Sequence, residues 1–180
     1  MNRSDSLLLI IDVQENLTSA VENTREVIHT CTNLVSVAKR LGVPFIITEQ
    51  YPKGLGRTII DIRNMAEIKD EDYPAKVEFS AAKNEKILNL IKKSKKKQIV
   101  LAGIETHICV LQTARDLKEM GFNVFVVADG CSSRDVAENI LGLQRIMHKG
   151  IEIVTFEMVL FEWLGKAGTE EFKELSKLIK

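Results

Sequence analysis

Five short apolar runs, at residues 7–11, 45–48, 98–102, 124–128 and 151–154, alternate with longer stretches whose apolar residues recur at helical spacing. Near-continuous hydrophobic runs of strand length mark strands covered on both faces, as in a parallel sheet flanked by helices. Between the runs, Val27, Leu34, Val37 and Leu41 mark a helix ended by Gly42 and Pro44, and Ile87, Leu90 and Ile91 mark a second. Ile108, Leu111, Ala114 and Leu117 mark a third, with Gly121 past its end, and Val136, Ile140, Leu143 and Met147 a fourth closed by Gly150. Residues 156–164 and 172–179 read as two short amphipathic helices divided by Gly165 and Gly168. The expectation is an α/β fold: one domain over residues 1–180, built on a doubly wound, mostly parallel sheet with helices on both faces.

Composition removes several classes. With 45% hydrophobic residues, 10 Gly and 3 Pro in 180 residues, the chain has enough apolar surface to offset its conformational entropy and is not low-complexity. Lys+Arg and Asp+Glu both number 25, so no global field draws in nucleic acid or an anionic membrane, and neither is expected as a partner. The lysine-rich run at residues 92–97 reads as a solvated helix end. No apolar run approaches the ~18 residues of a membrane span. Three cysteines are too few and too odd for a disulfide framework, which points to a reducing compartment and a cytoplasmic location.

In open parallel sheets ligands bind beyond the carboxyl ends of the strands, where the winding reverses. That rule selects Asp12 after the first run, and Gly103-Ile104-Glu105-Thr106-His107-Ile108-Cys109 after the third. With Thr106 as N-cap, Cys109 falls at the third helical position, where the dipole's positive end favours a thiolate. Taken alone, such an Asp is more often a helix cap or turn former, and such a Cys more often core filling. Cys31 and Cys131 read as structural. His29 and His148 sit inside helices and only His107 lies near Cys109, so metal-ligand spacing is absent and no metal is expected. No G-x-G-x-x-G or phosphate loop follows any strand, so no nucleotide cofactor is expected either. The aperiodic segment 51–78 holds two of the three prolines and reads as a long functional loop.

These residues resemble the isochorismatase-like cysteine hydrolases, whose relatives include nicotinamidases and N-carbamoylsarcosine amidase. Leu8-Leu9-Ile10-Ile11-Asp12-Val13-Gln14 is similar to the family's first strand and acid, and Gly103-Ile104-Glu105-Thr106-His107-Ile108-Cys109-Val110 to its nucleophile motif. Within Tyr73-Pro74-Ala75-Lys76-Val77-Glu78-Phe79-Ser80 the matching lysine is Lys76. The resemblance implies a sheet of about six strands, with the additional one near Tyr73. It also implies a triad of Asp12, Lys76 and Cys109 that cleaves a small amide-type C–N bond through a thioester. It further implies an oxyanion hole from the N–H groups of Glu105 and Cys109, with a cis peptide joining Ile104 to Glu105. Nicotinamidase-type members carry metal-binding histidines after the second strand. The segment Thr48-Glu49-Gln50-Tyr51-Pro52-Lys53-Gly54-Leu55-Gly56 has none, and with Ser132-Ser133-Arg134 it resembles the isochorismatase domain-containing subgroup.

Leu17, Tyr51, Phe79 and Ile108 are the expected substrate-pocket residues, with core packing as their alternative. The main reading is therefore a metal-independent hydrolase without cofactor, acting on a small molecule. Its alternatives are a catalytically silent scaffold on the same fold and a redox-sensing thiol protein in which Cys109 pairs with Cys131. Replacing Lys76 by Ala or Cys109 by Ser is expected to abolish turnover with little change in stability. Phe161, Trp163, Leu164, Phe172 and Leu175 suggest a homodimer or higher homo-oligomer, unless they pack on the chain's own sheet.

Overall fold

The computed structural model describes residues 1–179. The five apolar runs form β1 (Ser6–Ile11), β2 (Phe45–Ile47), and, following two short strands β3 (Glu49–Gln50) and β4 (Ala75–Lys76), β5 (Gln98–Ile104), β6 (Asn123–Ser132) and β7 (Glu152–Val154). A five-stranded sheet in the order β2-β1-β5-β6-β7 is parallel throughout. The chain begins at β1, steps outward to β2, then crosses back to β5, so the winding reverses between β1 and β5. That is where such sheets open a crevice at their carboxyl ends.

The expected additional strand near Tyr73 is β4, but it does not join the main ladder. It pairs in parallel with β3, Glu49 opposite Ala75 and Gln50 opposite Lys76. β2 and β3 form one extended run broken at Thr48, whose N–H donates to the Ile10 carbonyl and whose carbonyl accepts from Asp12 N–H. The small ladder therefore prolongs the sheet edge past the end of β1 and carries Lys76 toward Asp12.

The helices are α1 (Glu15–Thr18), α2 (Thr24–Leu41), α3 (Pro52–Leu55), α4 (Ile60–Ala66), α5 (Glu85–Lys93), α6 (Leu111–Glu119), α7 (Val136–His148), α8 (Phe156–Leu164) and α9 (Glu170–Leu175). Alternation along β1 sends Leu8 and Ile10 into one core with α2, α4 and α8, and Leu7, Leu9 and Ile11 into a second with α5, α6 and α7. Segment 51–78 is not a plain loop. It contains α3, α4 and β4, and Ile62 and Ala66 on α4 are buried in the first core. Gly103 is fixed by geometry: its φ is 123°, and a Cβ there would lie 2.0 Å from the Ile11 carbonyl oxygen.

Two expectations about helix faces change. On α7 the buried positions are Gly142 and Ile146, whereas Val136, Ile140 and Met147 of the apolar stripe face solvent together with Leu141. At the C-terminal end, Trp163, Leu164 and Leu175 are buried in the chain's own first core. Trp163 Nε1 donates to Ser6 Oγ at 3.1 Å, and the Phe161 and Phe172 rings pack on each other with centroids 6.3 Å apart. Trp163, Leu164 and Leu175 are taken up by intramolecular packing, whereas Phe161 remains 40% exposed.

Candidate active site

Asp12 follows β1 in a left-handed conformation, φ 53°, which Asp tolerates better than most residues because its short polar side chain bonds locally. Its carboxylate is wholly buried. Oδ1 accepts from Thr48 Oγ1 at 2.6 Å, and Oδ2 accepts from Lys76 Nζ at 2.6 Å. Lys76 is equally hidden, with 0% side-chain exposure on both members of the pair. Its remaining protons go to Gln50 Oε1 at 2.6 Å and to the Glu78 and Phe79 carbonyls at 3.2 and 3.4 Å. Gln14, fully buried, latches the β3 end to this floor: its Oε1 accepts from Gln50 N–H, and its Nε2 donates to the Gln50 and Gly56 carbonyls.

Beyond β5 the backbone does not open a regular helix. Residues Thr106–Val110 form a π-turn closed by Val110 N–H donating to the Glu105 carbonyl at 3.2 Å. Such turns recur at functional sites. Glu105, not Thr106, occupies the N-cap position, and the buried Thr106 hydroxyl has no hydrogen-bond partner among the described residues. The Ile104–Glu105 peptide is cis. Cys109 lies on this turn, 6% exposed, with its thiol within electrostatic reach of the Asp12 carboxylate. The structure thus brings Asp12, Lys76 and Cys109 together at the reversal point of the sheet.

The electrostatics differ from the dipole argument. Burial first, then the Asp12 carboxylate, pushes the Cys109 thiol up to about 12, against the partial opposition of Lys76. Burial likewise raises the Asp12 carboxyl, with the Lys76 charge, its hydrogen bond, Thr48 and the thiol pulling only part of the way back. Both groups are thus held above their ordinary values, and the thiol rests protonated. Cys31 and Cys131 are buried and unpaired, and burial raises them too, Cys131 to about 12.

Cys109 opens onto a cavity of about 480 Å³. All four expected pocket residues, Leu17, Tyr51, Phe79 and Ile108, lie on its wall, joined by Leu55, Val77, Gln50, Glu105 and Arg134. Gln50 and Arg134 stand in the strings quoted for the resemblance. Their roles depend on contacts across the fold, which spacing does not show. The Arg134 guanidinium grips Glu105 through Nε and Nη2, at 3.0 Å to Oε2 and 2.6 Å to Oε1, while its N–H donates to Oε2 at 2.9 Å. Burial raises the Glu105 carboxyl, but these bonds outweigh it and hold it below the usual carboxylate range. Next to it, Ser133 Oγ lies 2.9 Å from His107 Nδ1.

Glu49 occupies the segment where metal-binding relatives carry ligands. Its Oε1 is bonded to Arg57 Nε, Thr58 N–H and Thr58 Oγ1, a set that suits a structural carboxylate. Among the described residues no group of three or more His, Cys, Asp or Glu side chains is placed to share a metal ion. No helix among them is long and apolar enough to cross a membrane.

Comparison with known proteins places this arrangement in a family. The isochorismatase domain model matches residues 6–158. A protein described as a secreted isochorismatase effector, from Phytophthora sojae, is 38% identical over 97% of this chain and 84% of its own length. Isochorismatase domain-containing protein 2 of Xenopus laevis is 36% identical over 99% and 85% respectively. Among solved structures, one described as MAR1 ribonuclease from Caenorhabditis elegans superposes with a TM-score of 0.91 at 35% identity, covering 99% of this chain and 91% of that one. The YcaC gene product of Escherichia coli, described as an octameric hydrolase of unknown specificity, shares the fold with a TM-score of 0.91 at 24% identity, covering 99% and 89%. With its carboxylate, lysine and thiol gathered at one end of a parallel sheet, the chain belongs to the isochorismatase family of hydrolases.

Proposed function

We propose that this chain is a metal-independent cysteine hydrolase that cleaves a small amide-type C–N bond through a thioester. The observation that carries the reading is a thiol facing a cavity with a buried, lysine-held carboxylate near enough to act on its proton. As the Cys109 sulfur bonds to the substrate carbonyl, its proton passes to Asp12. The carbonyl oxygen becomes an oxyanion, and the N–H groups of Glu105 and Cys109 are the donors assigned to it. Collapse breaks the C–N bond and the amine leaves with the proton from Asp12. Asp12 then takes a proton from water, hydroxide attacks the thioester carbon, the C–S bond breaks, and the thiolate regains its proton. Lys76 keeps Asp12 poised and favours each transient anion near it.

A small substrate suits the cavity better than a polyanion. Among the described residues the only cation on its wall is Arg134, tied to Glu105, and the lysines of segment 92–97 precede β5 and so lie at the opposite end of the sheet. The neighbour described as octameric and the exposed stripe on α7 support self-association. Three unpaired thiols support a reducing, cytoplasmic setting.

The test is a panel of amides assayed for ammonia release, with intact-mass detection of acylated protein. Turnover is expected in the parent and absent in Cys109→Ser, whose melting temperature stays close to the parent's. A parent that releases no ammonia and gains no acyl group from any amide would leave the scaffold reading in its place.

A further inference from the structure

The cavity's charged side chains are paired with one another, and this deepens the acyl-transfer reading on which it rests. Asp12 and Lys76 pair behind the thiol with no exposed surface. Glu105 and Arg134 pair at the wall, and Arg134, though 61% exposed, turns two of its nitrogens onto that carboxylate. The Gln50 amide accepts from Lys76 and donates to the Val77 carbonyl, and it carries no charge to offer a ligand. Two acids and two bases leave the pocket with no net charge. The rest of its wall is Leu17, Tyr51, Leu55, Val77, Phe79 and Ile108. Val77, Phe79 and Tyr51 are 71%, 56% and 55% exposed, so the mouth presents apolar surface to whatever enters.

A carboxylate or ammonium group entering this space gives up its hydration and meets no unpaired counter-charge. An anion that reaches the remaining guanidinium N–H groups of Arg134 meets a charge already balanced by Glu105, and on an exposed side chain such a contact is screened by water. We infer that the substrate is a small neutral amide with an aliphatic or aromatic body, carrying neither a carboxylate nor an ammonium group.

The experiment compares size-matched acyl compounds on the whole chain: pentanamide against succinamic acid and 4-aminobutanamide. Neutral p-nitrophenyl butyrate serves as an independent probe of Cys109 acylation, read by intact mass in the parent and in Cys109→Ser. The neutral amide is expected to exceed both charged ones by about 100-fold in kcat/KM, reflecting the cost of an unpaired charge in an apolar site. In Arg134→Met, whatever rate remains is expected to fall by the same factor for neutral and anionic members. A charged amide equal to or better than the neutral one, or a loss in Arg134→Met confined to succinamic acid, overturns the neutral-substrate inference while Cys109 acylation still stands. No acylation of Cys109 even by p-nitrophenyl butyrate overturns the acyl-transfer reading, and this inference falls with it.

Discussion

Cys109 and Asp12 act on each other's titration, and the thiol's proton sets what each residue can be made to report. Because burial and the Asp12 carboxylate push the thiol to about 12, alkylation by iodoacetamide is expected to keep rising well past the ~8.5 of a free thiol, with no plateau near neutrality. Asp12→Asn, which suits the left-handed backbone, removes the anion and is expected to move the alkylation midpoint down while abolishing turnover. Peptide mass spectrometry across a pH series reads both effects. The stability of Lys76 variants departs from the expectation of little change. Its charge is buried against Asp12, and stranding one member of such a pair costs about 3–5 kcal/mol. In Lys76→Ala burial acts on the carboxyl unopposed by its main partner, so the folded-state pKa climbs further above the unfolded value. That variant keeps its stability at low pH, where the carboxyl is protonated in both states, and loses it as pH rises. Melting curves at about pH 5 and about pH 8 are expected to diverge from the parent's in that direction. Of the candidate triad, Asp12 and Cys109 were legible in the sequence from strand-end position, and Lys76 only from the resemblance. The raised thiol was not, since burial depends on what the rest of the chain packs around the turn.

At the level of elements, all five strands of the main sheet were readable from their apolar runs, while helix faces were less so. The stripe of Val136, Ile140 and Met147 located α7 correctly but not the side it buries, because the small residue Gly142 is what lets the helix approach the π-turn. A Cβ at Gly142 would lie 3.1 Å from both the Cα and N of His107, two residues from Cys109. Gly142→Ala therefore gains helix propensity of about 1 kcal/mol yet forces the turn to shift by tenths of an ångström. The expected outcome is a folded variant whose kcat falls about tenfold, since misplacement of the reacting group is costly. Circular dichroism and steady-state kinetics together check it. The small β3–β4 ladder was equally hidden: two residues per strand give no period to read, and only the pairing of Gln50 with Lys76 shows that it delivers the lysine.

For the whole molecule, apolar surface is the quantity that remains to be placed. The C-terminal helices use most of theirs on the first core, leaving Met158 and Phe161 outward, whereas α7 leaves Val136, Ile140, Leu141 and Met147 facing solvent. Covering that stripe with a second copy is the expected state, so light scattering at micromolar concentration should report an oligomer and Leu141→Glu should shift it to monomer with activity measured in parallel. A parent that is monomeric would dispose of the assembly. The placement of the thiols has a use that does not depend on chemistry at the site. Cys31 lies in the core beneath α2, while Cys131 lies in the other core, across the sheet. Neither can react until its own layer parts from the strands. Timed labelling with a fast alkylating reagent therefore reads the opening of the two layers as separate clocks within one molecule. Equal rates would mark the sheet and both layers as a single cooperative unit, and unequal rates would rank the layers by the free energy that keeps each one closed.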